Sequence, residues 1–178
     1  MLKLRKNSIF FFLCFTTLCS FVSHKAVSSS EKYKAQSIFV YTFTKYVNWS
    51  KSQPDRFTIV SYKNSGINPY LQQIAATKKI KEKSVSIVLI DPSSDIPDCD
   101  LIYFDDQNAK LAATHMAKRS MNNILVVSQS GHAEKTLENI NLFEANDSYK
   151  FDINLENIEK NGMTVSSNLL KLASKTHD

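Results

Sequence analysis

The chain has 178 residues, 43% of them hydrophobic, with 22 basic against 17 acidic side chains and a formal net charge of +5. That length suits one globular domain with a full core and requires no second one. Lys3, Arg5, Lys6 and Lys25 all fall in the first 26 residues, so the remainder carries 18 basic and 17 acidic residues, or +1; a nucleic-acid role, which needs a concentrated basic face, loses its compositional support, and no nucleic-acid partner is expected.

In chain order, Lys3, Arg5 and Lys6 precede an apolar run over 9–22, and small polar residues follow. This is the layout of a secretory signal peptide over 1–26, cleaved near 23–26, which predicts an exported protein. A retained membrane anchor is the weaker alternative, because Thr16, Thr17, Cys19 and Ser20 dilute a run already short for a bilayer. Residues 27–32 read as a spacer, 33–173 as a single domain and 174–178 as a tail. A helix over 31–47, capped by Ser30, places Ala35, Ile38, Phe39, Phe43, Tyr46 and Val47 at helical spacing as a core face. Trp49 ends that unit, and Pro54-Asp55 turns the chain into a strand over 57–62. Asn64-Ser65-Gly66 is the next turn, Pro69 opens a helix through Leu71 and Ile74, and 85–90 is a second strand. A loop over 92–97 leads to a strand over 101–104. Asn108 then caps a helix through Leu111, Ala112, His115 and Met116, and 124–127 is a fourth strand. These strands are nearly continuous apolar runs alternating with helices. The predicted fold is therefore α/β: a three-layer, mostly parallel or mixed sheet flanked by helices, with a C-terminal antiparallel hairpin around Asn146-Asp147 and a terminal helix.

Chemistry is harder to find. The chain's three glycines, Gly66, Gly131 and Gly162, form no phosphate-cradling loop, and His115 and His132 are too scattered to specify a metal site. No catalytic, cofactor-binding or metal residues are predicted, and an enzyme is not expected. Asp105-Asp106 reads as a solvated surface pair, since neighbouring carboxylates at a strand end point apart. Lys78, Lys79, Lys81 and Lys83 and the acidic series from Asp91 to Asp106 read as solvated loops. With Cys14 and Cys19 in the signal segment, Cys99 is alone: a buried small hydrophobe, or in a sharper reading an intermolecular disulfide. The candidate ligand or partner loop is Ser128, Gln129, Ser130, Gly131 and His132, because it follows a buried strand where open α/β sheets place ligands; the plainer reading is a flexible connection.

The C-terminal segment is rich in structural signals. Tyr149, Phe151 and Ile153 alternate with Lys150 and Asp152 as a strand with one buried face. Asn154 caps a short helix starting at Leu155, Glu156 and Lys160 complement its dipole, and Gly162 closes it in the left-handed region. Met163 and Val165 flank Thr164 in a brief strand. Ser166 or Ser167 then caps a terminal helix carrying Leu169, Leu170, Leu172 and Ala173.

This series resembles the C-terminal signature of the YfiR family of bacterial periplasmic proteins (YfiR/HmsC-like). Asn139-Ile140-Asn141-Leu142-Phe143 is similar to the family's Met-Ile-Asn-Phe strand, and the aromatic series from Tyr33 to Trp49 to its opening helix, so the resemblance spans 33–173. It implies a regulator that represses a membrane-anchored diguanylate cyclase through that protein's periplasmic domain, tying envelope conditions to cyclic di-GMP, adhesion and biofilm. It also implies a homodimer. An accessory protein of a sensor histidine kinase is an alternative, as is a small-molecule or glycan-binding protein built on the loop after Val127. The internal disulfides of better-known relatives cannot form with Cys99 alone, and Leu137-Glu138 stand where members often have glycine.

Overall fold

The computed structural model describes residues 28–51, 55–130, 138–146 and 148–177. The expected signal peptide, Pro54 of the first turn, Gly131 and His132 of the candidate loop and Asp147 of the hairpin lie outside the described residues. In chain order the elements are α1 (Ser29–Tyr46), β1 (Val47–Trp49), β2 (Arg56–Tyr62), α2 (Asn68–Thr77), β3 (Lys79–Ile80), β4 (Lys83–Ile90), β5 (Leu101–Asp105), α3 (Ala109–Met116), β6 (Leu125–Gln129), β7 (Ile140–Ala145), β8 (Ser148–Asn154), α4 (Leu155–Lys160), β9 (Met163–Val165), α5 (Ser167–Leu170) and β10 (Lys175–His177).

Eight strands form one sheet in the order β10-β8-β7-β6-β5-β2-β4-β3. Within it β4, β2, β5, β6 and β7 run parallel, β8 is antiparallel to β7, and β3 folds back antiparallel on β4. β1 and β9 make a separate antiparallel pair, Val47↔Val165 to Trp49↔Met163. β5 is buried along its whole length and β6 along all but its last residue, because each alternate residue has a helical layer to face. Ile59, Leu101, Tyr103, Leu125, Val127 and Leu142 point to a core shared with α1, α2 and the C-terminal elements. Val60, Ile102, Phe104 and Val126 point the other way, onto Ala112 and Met116 of α3. The mixed, mostly parallel, helix-flanked α/β sheet expected from the alternation is the observed architecture.

Local chemistry sets the element ends. Ser28 Oγ accepts from Glu31 N at 3.2 Å while Glu31 Oε2 accepts from Ser28 N at 3.1 Å, a reciprocal cap. The cap is thus Ser28 and not Ser30, whose hydroxyl bonds that of Tyr70 at 2.6 Å. α1 stops at Tyr46 because Val47 is drawn into β1 by its pairing with Val165. Asn108 does not cap α3: it closes a 3-10 turn and its amide turns back to Asp105. At the C-terminus Asn154 Oδ1 accepts from Asn157 N at 2.8 Å, Gly162 sits at φ +73°, and Ser166 Oγ accepts from Leu169 N at 3.4 Å. These three do the work the sequence assigns them, while Ser167 is the first residue of α5.

Three expectations fail for identifiable reasons. Ile38 is 54% exposed, because α1 turns Gln36, Ser37, Val40, Phe43 and Thr44 inward instead. Gln36 belongs there: its Oε1 accepts from Tyr103 Oη and its Nε2 donates to Tyr149 Oη, each at 3.1 Å. The terminal helix is a single turn, and Leu172 is 68% exposed, because Ser174 N donates to Phe151 O at 2.8 Å and pulls the chain into β10. The stretch 174–178, read as a tail, therefore includes an edge strand beside β8. Phe151, Ile153 and Leu169 are buried as the motif requires, and Leu155 and Leu170 are half-buried.

Candidate functional site

The loop singled out from the sequence begins where β6 ends under Asn141 of β7. Ser128 Oγ donates to Asn141 Oδ1 at 2.9 Å, Ser130 N donates to the same oxygen at 3.2 Å, and Asn141 Nδ2 donates back to Ser130 O at 3.2 Å. Ser128 and Ser130 are buried and Gln129 is half-buried. The first three residues of the loop are thus a clamped strand end, neither a flexible connection nor an open row of donors. Asn139 works similarly: its Oδ1 accepts from Val126 N at 2.7 Å, and its own N–H donates to Val126 O at 2.9 Å. The two asparagines of the Asn-Ile-Asn run fix how β7 seats against β6.

Glu138, just before β7, is buried, and that burial pushes its carboxyl up to about 7 against the lowering effect of a hydrogen bond with Ser128.

The second location is the reversal of the parallel sheet. Strand order β4-β2-β5-β6-β7 changes direction between β2 and β5, and doubly wound sheets bind ligands in the crevice outside the carboxyl ends at such a point. Asp105 stands here, 5% exposed, which corrects its reading as a solvated surface acid; its neighbour Asp106 is exposed as expected. Asp105 Oδ2 accepts from Ser65 Oγ at 2.7 Å and Gln107 Nε2 at 3.2 Å, and Oδ1 accepts from Asn108 Nδ2 at 2.7 Å. These three donors are neutral, so the carboxylate is held by dipoles, and the network straps the turn after β2 to the turn after β5. Asn68 reinforces it by donating to Tyr62 O at 2.8 Å and Lys63 O at 3.2 Å. Gly66 lies alongside against Tyr33, whose ring would have to move for a Cβ, since the two would meet at 2.3 Å. Chemically this arrangement is a latch across the crevice. The signal that would have found it is an acid at the end of a buried strand opposite the Asn64-Ser65-Gly66 turn.

His115 is buried on the α3 side, its Nδ1 and Tyr62 Oη sharing a hydrogen bond at 3.0 Å. Burial pushes the Tyr62 phenol up to about 12, so it is neutral at physiological pH.

Two cavities lie at the opposite, amino ends of the strands. One of about 280 Å³ is lined by Lys51, Asp98, Cys99, Arg119 and Asn123. Arg119 is anchored there on the carbonyls of Ile96 and Pro97 and on Asp98 Oδ1, the last at 3.3 Å. Cys99 is buried and unbridged, and burial pushes its thiol up to about 12, which starves it of the thiolate needed for disulfide exchange. The other cavity, about 250 Å³, has Trp49 and Phe57, edge to face at 5.2 Å, beside Lys81 and Lys83. Lys81 is not simply solvated: its ammonium donates to Lys45 O at 3.3 Å and Asn48 Oδ1 at 3.1 Å, covering the carbonyl end of α1.

Among the described residues no three His, Cys, Asp or Glu side chains gather as a metal site, and no helix is long and apolar enough to cross a membrane. A family model described as YfiR/HmsC-like matches residues 33–174. None of the curated proteins matches the chain.

Proposed function

The chain belongs to the YfiR/HmsC-like family, and from that premise we propose that it is an exported regulator that acts by stoichiometric contact, without catalysis. In this reading it resides in the periplasm and represses a membrane-anchored signalling protein, such as a diguanylate cyclase, by holding that protein's periplasmic domain. The observation that carries the proposal is the family match over the whole predicted domain. Ile38 on α1 and Leu172 just beyond α5, the large hydrophobic side chains left exposed among the described residues, are the contact residues this reading puts to the test. The chemistry of the sheet's carboxyl edge supports contact over turnover, since Asp105, Ser128 and Ser130 are committed to internal bonds.

The test is crosslinked capture from the envelope with the tagged full-length gene product. The proposal expects one inner-membrane signalling protein to be recovered, and recovery to fall at least tenfold with Ile38→Asp and Leu172→Asp in combination while the fold's circular dichroism is kept. Repeated capture with no inner-membrane signalling protein, together with saturable thermal stabilisation by a small molecule or glycan, would replace this reading with that of a solute-binding protein.

A further inference from the structure

β4 is the last long strand on its side of the sheet. β2 pairs with it from Arg56↔Ser84 to Tyr62↔Ile90, but on its outer side β3 covers only Lys83 and Ser84. Lys81 and Glu82, at φ 49° and 63°, make the tight turn between β3 and β4, and in such a turn the flanking residues, Ile80 and Lys83, are the hydrogen-bonded pair. The backbone groups of Lys83 therefore point outward, and by the period of two so do those of Val85, Ile87 and Leu89. Ile90 agrees with this parity: its carbonyl turns the other way and accepts from Lys63 N, just past β2, at 2.9 Å. Lys78, extended at φ −124° and ψ 156°, continues the line of β3 beside Val85. Ile87 and Leu89 thus hold an open row of two N–H and two C=O groups, and among the described residues no strand pairs with them on that side.

Natural sheets blunt such an edge with lysine, proline or a bulge, but the run Val-Ser-Ile-Val-Leu-Ile over 85–90 contains no charge and no proline. Val85 and Ile87 pack on the core shared with α1 and α2, Val88 on the core beneath α3, and each is left half-buried. A strand laid outside β4 would cover the rest of both rows. Charge is lopsided along the edge. At the β3 end stand Lys78, Lys79, Lys81 and Lys83 against the single acid Glu82, all exposed except the half-buried Lys83. At the far end stands Asp91, already paired with Lys63 at 2.6 Å, and Pro92, which has no N–H, closes the strand immediately afterwards.

We propose that the open edge of β4 receives an extended segment of another protein, laid antiparallel along 86–90, rich in β-branched residues and acidic at its C-terminal end. Antiparallel pairing brings that end beside Lys78 and Lys79, where carboxylates answer the local excess of ammonium groups. A second copy of this chain answers it less well, because its β4 brings only Asp91, which would have to leave Lys63. The inference rests on the reading of the chain as a contact regulator and adds a second contact, in which main-chain hydrogen bonds supply affinity and the flanking lysines select the partner.

Fluorescence anisotropy with the purified chain tests this, using the labelled, N-acetylated peptide Thr-Val-Thr-Val-Thr-Glu-Glu and its counterpart ending in Lys-Lys, with circular dichroism as the fold control. The acidic peptide is expected to bind saturably and at least tenfold more tightly than the basic one. Ile87→Pro removes an outward N–H, a change that an edge strand tolerates, and is expected to abolish binding. Lys78→Glu combined with Lys79→Glu, both on the surface, should weaken it at least tenfold. No saturable binding, equal binding of the two peptides, or a charge-reversed variant that binds like the parent overturns the proposal. So does a dimer in sedimentation velocity that Ile87→Pro dissociates, since that assigns the edge to a second copy. Peptide binding without any captured signalling protein sinks the regulator reading and not the edge, whereas loss of the edge leaves capture through Ile38 and Leu172 standing.

Discussion

Replacing Asp105 separates a solvated acid from a buried latch. In Asp105→Ala, Ser65 and Asn108, only 4% and 2% exposed, lose their acceptor in a place water does not readily reach. Each orphaned buried donor costs about 1–3 kcal/mol, and relief of the carboxylate's own desolvation offsets part of that, giving about 2–4 kcal/mol in all. Gln107 is exposed and rehydrates at little cost. Asp105→Asn keeps the volume and one acceptor but turns an amide N–H₂ toward a donor, so about half the loss is expected. Urea unfolding followed by far-ultraviolet circular dichroism reads this directly. At an m-value of about 1–3 kcal/mol per M, the alanine variant's midpoint falls by about 1 M or more with the slope unchanged. If both variants stay within about 0.5 kcal/mol of the parent, as exposed substitutions do, the latch is not a latch and the reasoning fails.

Glu138 gives stability a pH dependence. Its folded carboxyl titrates near 7, raised from 4.5 by burial, so its neutral form is the one the fold prefers: the contribution is whole below the unfolded value and declines as pH rises from about 4.5 to about 7. The loss is at most about 3 kcal/mol, Glu138→Gln should remove it, and parallel stability curves for the two proteins across that window would refute the assignment. Gly162→Ala places a side chain at φ +73° with its Cβ 3.2 Å from Ser50 Oγ. It should cost about 1–2 kcal/mol by differential scanning calorimetry, and an unchanged transition would show that the turn relaxes freely.

The elements whose instructions are local were legible from the residues alone. Asn154, Gly162 and Ser166 act on neighbours three or four residues away, and β5 and β6 declare themselves by unbroken apolar runs. What stayed hidden depends on distant partners. Ser65, forty residues from Asp105, converts a surface-looking acid into a buried one. Val47 continues the helical spacing of α1, and only β9 near the other end of the chain makes it a strand. β10, Lys-Thr-His, has no apolar period and exists because Phe151 O captures Ser174 N. The candidate loop was half legible: the end of β6 is where polar side chains gather, but Asn141 claims them from an adjacent strand.

The β1–β9 pair also bears on the order in which the molecule can be made. Val47 to Trp49 are synthesised more than a hundred residues before Met163 to Val165, yet each completes the other. α1 is in the same position: Phe43 packs edge-on against Phe151 at 5.0 Å, and Gln36 bonds Tyr149. A chain that has not yet formed β8 and β9 therefore offers the opening helix only part of its dock, α2 and Tyr103 of β5, and its closure waits for the rest. A polypeptide built this way keeps its first helix loosely held until β8 and β9 have been made.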